Sequence, residues 1–241
     1  MMSDTDLLIV GAHPDDAEIG CGGLISKTVA MGKKVVIIDL TNGEPTPYGD
    51  PITRAKEAKK SAEILGIFSR LTLEWPNRYL ENKLGYRIQL GDIFRKFRPK
   101  VVITHPNHDW HADHIHAHEL VNAARFQAKL SKTDSEYPPY WIPQIFYFEH
   151  SHLKKPRELD FTVDVSPFFA RKIEALKTYH SQFTANPANQ HLIKNLEDRA
   201  QWLGSQSGVK YAEGFISPEI ICLTDVFFSP TFSNNEVTKE N

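Results

Sequence analysis

The chain has 241 residues, 41% of them hydrophobic and 24% charged, with a formal net charge of −2 when the histidines are neutral. That length suits one large α/β core or, as the lesser option, two small ones. The slight acidic excess argues against a nucleic-acid surface, which carries a basic surplus, and no window approaches the roughly 20 apolar residues of a membrane span. Cys21 and Cys222 are too few for a disulfide framework and fit a reducing, cytoplasmic setting. The opening MMSDTDLLIVGAHPDD puts acids ahead of a short apolar run, unlike a secretory signal.

The first half alternates strand and helix patterns. Leu7 to Ala12 (LLIVGA) is a short continuous apolar run of the kind found in a parallel strand buried on both faces. A helix follows from about Ala17 to Met31, then a strand from Lys34 to Thr41. Thr53 to Leu65 reads as a charged helix with Gly66 at its C-terminal cap. Arg70 to Glu74 is a third strand, Tyr86 to Phe97 an amphipathic helix stopped at Pro99, and Val101 to Thr104 a fourth strand. Ala112 to Leu130 is helical. Beyond a Pro- and Tyr-rich loop at Ser131 to Pro143, strands are expected at Gln144 to His150 and Phe161 to Val165. Helices are expected at Phe168 to Phe183 and Leu196 to Ser205. The pattern predicts one Rossmann-like, doubly wound domain over residues 1–230, with a mostly parallel sheet and helices on both faces, and a polar tail at 231–241.

Six of the eleven histidines fall within HPNHDWHADHIHAH, from His105 to His118, and a second dense string, HPDD, spans His13 to Asp16. Imidazole and carboxylate are ligands of a catalytic zinc site. His13 follows the first strand and His105 the fourth. In the doubly wound order 3-2-1-4 those strands are neighbours, and ligands bind in the crevice beyond their carboxyl ends. A dinucleotide would need G-x-G-x-x-G at the first turn, which here reads GAHPDD and presents two carboxylates where a pyrophosphate would lie. The later GCGG at Gly20 to Gly23 falls inside the helix and reads as a close-packed or bent segment.

His13 and Asp16 are close enough in one turn to bind the same ion. His111, His114 and His118 share a helix face, and His114 continues the inward stripe Ala117, Val121, Ala124 and Ala128, which makes it the best third ligand. His118 stays an open competitor. His116 reads as a solvated helix residue, and His105 and His108 as loop or supporting residues. Asp15 and Asp16 alone can be read as helix caps, but that leaves His13 and the second string unexplained. A structural zinc is disfavoured because such sites are cysteine-rich.

GAHPDDAEIG followed by HADH at His111 to His114 resembles the LmbE/PIG-L family of zinc-dependent N-acetylglucosaminyl deacetylases. TNGE (Thr41 to Glu44), R-x-x-E (Arg54 to Glu57), SQF (Ser181 to Phe183) and YAEGF (Tyr211 to Phe215) extend the match. With SQF, YAEGF and Ala17-Glu18 directly after HPDD, the chain is most similar to the bacillithiol-biosynthesis deacetylases. The resemblance implies a cytoplasmic homo-oligomer, trimeric or hexameric, with one Zn2+ per chain held by His13, Asp16 and His114. It implies Asp15 as general base and His111 as acid or oxyanion stabiliser, oriented by Asp113. Arg54 resembles a substrate-anchoring arginine. Asn77, in WPNR, stands where relatives often have a sugar-binding aspartate. The implied substrate is a small amino sugar, an N-acetylglucosaminyl conjugate of the GlcNAc-malate type. The alternatives are free GlcNAc or chito-oligosaccharides, an amide of a thiol conjugate, and a metal-binding protein without catalysis. Arg54 and Arg78 suit a carboxylate-bearing substrate or ordinary surface ion pairs.

Overall fold

A computed structural model describes residues 4–149, 152 and 158–223. The elements in chain order are β1 (Thr5–Gly11), α1 (Asp16–Ala30), β2 (Val35–Thr41), α2 (Pro51–Leu65), β3 (Ser69–Trp75), α3 (Leu84–Phe97), β4 (Pro99–Thr104) and α4 (Ala112–Ala128). They continue with β5 (Gln144–Phe148), β6 (Phe161–Asp164), α5 (Phe169–Lys177), α6 (His180–Phe183), a 3-10 turn (Pro187–Asn189), α7 (Leu192–Ser207) and β7 (Ala212–Ile216). The seven strands form one sheet in the order β3-β2-β1-β4-β5-β7-β6. β1 to β5 pair in parallel, and β7 runs antiparallel between β5 and β6. This is the mostly parallel α/β fold expected from the strand–helix alternation, with the 3-2-1-4 order running inward from the β3 edge.

The apolar runs explain the layers. Leu8 and Val10 of β1 pack with Phe94 of α3 and Leu120 and Val121 of α4. Leu7 and Ile9, on the opposite face, pack with Ile25 of α1, Leu65 of α2 and Ala175 of α5. A parallel strand covered on both faces needs an unbroken apolar run, which LLIVGA and VVIIDLT supply. Asp50 starts α2 by accepting the N–H groups of Ile52 and Thr53, Pro51 occupies the first turn, and Gly66 ends it at φ 70.

The structure departs from the periodicity in three places. The single helix expected over Phe168 to Phe183 is two, because Tyr179 leaves helical geometry (φ −79, ψ 61) and sends its hydroxyl 2.8 Å to the buried Glu18 carboxylate. The helix expected from Leu196 begins at Leu192. The YAEGF string, not expected to be a strand, lies in β7 from Ala212 onward. The tail at 231–241 and the strand end expected at His150 lie outside the described residues. No described helix is long and apolar enough to cross a membrane.

α1 is kinked at Cys21 (φ −151, ψ 29), inside the GCGG string. A buried ion pair repairs the break. Glu213 of β7 accepts the N–H groups of Gly23 and Leu24 at 2.9 and 2.7 Å, capping the second half of the helix. Lys172 of α5 donates to the Ile19 carbonyl, which ends the first half, at 2.8 Å, and to Glu213 at 2.7 Å. Gly20 lies against Phe148, where a Cβ would come within 2.5 Å of the ring. The short first half of α1, carrying Asp16, is thereby aimed independently of the rest.

Candidate metal centre and active site

β1 ends at Gly11, and the turn into α1 carries His13, Asp15 and Asp16; β4 ends at Thr104, and the loop into α4 carries Asp109, His111, Asp113 and His114. Because β1 and β4 are paired, the two strings meet at the carboxyl ends of the sheet. Asp16 Oδ2 lies 3.3 Å from His13 Nδ1, and Asp16 Oδ1 lies 3.4 Å from His114 Nε2. The His13 N–H donates to Asp16 Oδ2 at 2.7 Å, which fixes the turn. One ligand atom from each of His13, Asp16 and His114 falls within 4.8 Å of the others, and all three residues are buried.

His13, His111 and Asp113 form a second such group, and Asp109, His114 and His152 a third. Hydrogen bonding separates them. Asp113 already accepts from the N–H groups of Arg78 (2.6 Å) and Leu80 (3.2 Å) and faces His13 Nε2 at 3.2 Å. Asp109 accepts the His111 N–H at 3.0 Å, meets His114 Nδ1 at 2.9 Å and meets His152 Nδ1 at 3.0 Å. Asp16 Oδ1 faces only His114 Nε2 among the described residues. Two imidazoles and one carboxylate with open donor atoms make His13, Asp16 and His114 the set best suited to a divalent ion with an open position.

Asp15 stands beside this set with unusual geometry. Its backbone sits at φ 117, and its side chain does not cap α1. Left-handed geometry at a non-glycine residue persists only where its surroundings enforce it. Oδ2 accepts from Arg54 Nη2 at 3.0 Å, and Oδ1 makes no hydrogen bond among the described residues. The capping role that the sequence allowed for Asp15 is therefore absent.

His111 is the N-cap of α4, and its Nδ1 accepts the Asp113 N–H at 3.2 Å. An Nδ1 that accepts leaves the ring proton on Nε2. Burial and the neighbouring His13 and His114 rings push its pKa down to about 4, which keeps the imidazole neutral. The carboxylate of Asp113 goes to His13 and two backbone amides, so the hold of Asp113 on the His111 ring runs through its backbone N–H. His105 is buried, and its Nε2 lies 3.0 Å from the Ala12 amide nitrogen and 3.1 Å from Asp16 Oδ2. His118 Nδ1 donates to the His105 carbonyl at 3.0 Å, and its ring packs on Tyr147 at 4.5 Å, which places it outside the ligand groups. His116 faces Glu119. Asn77 lies in the β3–α3 loop, next to the Arg78 amide that holds Asp113.

Asp109 was not singled out from the sequence, although its place five residues before His114 is a usable signal. A carboxylate on the far ring nitrogen of a ligating histidine fixes its tautomer and orientation. Asp109→Asn is expected to weaken metal affinity by about 10–100-fold, measurable by competition with a chelating dye. His152 was missed because its loop is remote in sequence from both strings.

In the metal-free protein, burial works against charge on both imidazoles, yet Asp113 and Asp16 raise His13 to about 9. Asp16 and Asp109 likewise raise His114 to about 10. Burial also opposes charge on Asp16, but the His114 and His105 rings hold its carboxyl well below the ordinary value. These ion pairs are complete below the unfolded histidine value of 6.5 and are lost as pH rises through about 9 for His13 and about 10 for His114. An incoming cation must displace the ring protons. Metal binding is therefore expected to release up to two protons per ion, with affinity rising as much as about 100-fold per pH unit from pH 7 toward 9. Calorimetry in two buffers of different ionisation enthalpy checks this.

Residues 8–125, which hold both strings, match the PIG-L family, described as GlcNAc-PI de-N-acetylase. The diacetylchitobiose deacetylase of Thermococcus kodakarensis is 31% identical over 225 residues, spanning 86% of this chain and 81% of that protein. The chain belongs to the PIG-L deacetylase family. Among solved structures, the conserved protein TT1542 from Thermus thermophilus is 34% identical with a TM-score of 0.84, covering 91% of this chain and 97% of that one. The N,N'-diacetylchitobiose deacetylase from Pyrococcus horikoshii, solved with its inhibitor MPG, is 26% identical with a TM-score of 0.75, covering 88% and 82%. This PIG-L protein is a hydrolytic N-deacetylase of the N-acetylglucosaminyl type. The bacillithiol branch expected from SQF and YAEGF is not confirmed by these likenesses.

Proposed function

We propose that this enzyme removes the acetyl group from N-acetylglucosamine units of diacetylchitobiose or a short chito-oligosaccharide, using zinc held by His13, Asp16 and His114. The observation that carries the chemistry is the open Asp15 Oδ1 beside a buried set of two imidazoles and one carboxylate. A divalent ion bound there supplies Lewis acidity and lowers the pKa of water at neutral pH. Asp15 takes the proton of the attacking water and returns it to the leaving amine. His111 donates its Nε2–H to the developing oxyanion as a neutral imidazole, its other nitrogen being occupied by the helix cap.

The substrate reading rests on similarity to the two diacetylchitobiose deacetylases and on what the competing strings do. Ser181 of SQF donates to Glu57, Glu213 of YAEGF caps the kink in α1, and Glu18 accepts from Arg70, Ser61 and Tyr179. All three belong to the framework, so they carry no information about an aglycone. Amine release from diacetylchitobiose, GlcNAc and GlcNAc-malate, with zinc restored, tests the reading. The highest kcat/KM is expected on the disaccharide, and a preference for GlcNAc-malate would return the chain to the bacillithiol branch.

A further inference from the structure

We infer that His152 is a sugar-binding residue whose Nε2 accepts a hydrogen bond from a hydroxyl of the pyranose that carries the acetamide. This assignment rests on the proposed N-acetylglucosaminyl substrate. His152 lies in the loop that follows β5, and 51% of its side chain is exposed, whereas the side chain of its partner Asp109 is fully enclosed. Its Nδ1 lies 3.0 Å from Asp109 Oδ1, and its backbone N–H donates to the same carboxylate at 3.3 and 3.4 Å. Asp109 is fixed in turn by the His111 N–H at 3.0 Å and by His114 Nδ1 at 2.9 Å. One buried carboxylate therefore mounts both a metal-facing ring and an exposed one.

A carboxylate only accepts, so the ring nitrogens that face it carry the protons. At His114 this leaves Nε2 open toward Asp16. At His152 the same tautomer leaves Nε2 as an acceptor, and that atom makes no hydrogen bond among the described residues. The His152 ring stands 5.1 Å from the His114 ring and 5.8 Å from the His111 ring, beside both the proposed metal ligand and the proposed oxyanion donor. A group that fills this acceptor has to donate. The acetamide oxygen accepts and is taken by His111 in the proposed reaction, whereas ring hydroxyls donate. A carboxylate placed here would set acceptor against acceptor. The chemistry that fits is a neutral pyranose with free hydroxyls.

His152→Asn and His152→Gln separate sugar binding from mere bracing of Asp109. Asparagine carries its amide near the place of Nδ1 and can still donate to Asp109, while glutamine carries its amide oxygen near the place of Nε2 and can still accept. With GlcNAc and diacetylchitobiose in the zinc-loaded enzyme, His152→Asn is expected to raise KM about fivefold, with kcat and zinc affinity held within about threefold. His152→Gln should recover most of that KM. The reverse order, with asparagine like wild type and glutamine impaired, or a loss of zinc in His152→Asn, would make the ring a brace and overturn the inference. Among GlcNAc analogues lacking one hydroxyl at a time, one should cost wild type about fivefold and cost His152→Asn nothing further. Equal losses in both proteins for every analogue would contradict the contact. Nitrogen-15 spectra of the histidine rings give a reading without turnover. His152 should carry its proton on Nδ1, and its Nε2 resonance should move on saturation with GlcNAc. A ring protonated at Nε2 instead, or an Nε2 resonance that the sugar leaves unmoved, overturns the inference. A wild type that binds GlcNAc with this shift but releases no amine would sink the proposed activity alone, and an active enzyme whose His152 ignores the sugar would sink the inference alone.

Discussion

Asp15→Asn should keep its metal and lose on the order of 10²-fold or more in kcat. The substitution preserves shape and an acceptor oxygen, and Asp15 is outside the set of His13, Asp16 and His114. What it removes is the proton-accepting carboxylate. The surroundings suit Asp15 to proton transfer, because burial pushes the carboxyl up to about 7 against the pull of Arg54. A base poised near the working pH can both take and return a proton. Metal content by atomic absorption, paired with steady-state amine release, separates the outcomes. An Asp15→Asn enzyme with near wild-type turnover would transfer the base role elsewhere. One that loses its metal would make Asp15 part of the binding site.

Lys172→Met is expected to cost about 3 kcal/mol of stability, at the lower end of the range for breaking a buried ion pair. Both side chains are nearly inaccessible, at 4% for Lys172 and 3% for Glu213. Without Lys172, Glu213 keeps its bonds to Gly23 and Leu24, which limits the penalty, but it loses its counter-charge, and the Ile19 carbonyl loses its donor. For a chain of this size that corresponds to a Tm lower by on the order of 10 °C. The double variant Lys172→Met/Glu213→Gln should be less destabilised than the sum of the two single changes. Additive losses in thermal unfolding would show that the pair does not act as a unit across the kink.

The readable part of the molecule was its local part. LLIVGA and VVIIDLT are buried runs that only a two-faced parallel sheet satisfies, and the turns after β1 and β4 hold the chemistry because their strands pair. Long-range partners were not readable. Glu213 caps Gly23 and Leu24, 190 and 189 positions away, and nothing in YAEGF marks it as a helix cap rather than as a token of substrate. Tyr179 breaks a helix that periodicity runs through, because the hydrogen bond to Glu18 outweighs continuation of the helix. The ring of His111 turned out to be set by a backbone amide, a detail that belongs to cap geometry and not to residue spacing.

Metal content of His114→Ala beside His118→Ala bears most directly on the proposed centre. His114 Nε2 faces Asp16, whereas His118 is engaged with the His105 carbonyl and Tyr147. After zinc loading and dialysis, His118→Ala should hold one ion per chain, and His114→Ala should hold less than about a tenth of that. Full occupancy in His114→Ala, or its loss in His118→Ala, would contradict the ligand set on which the proposed chemistry depends.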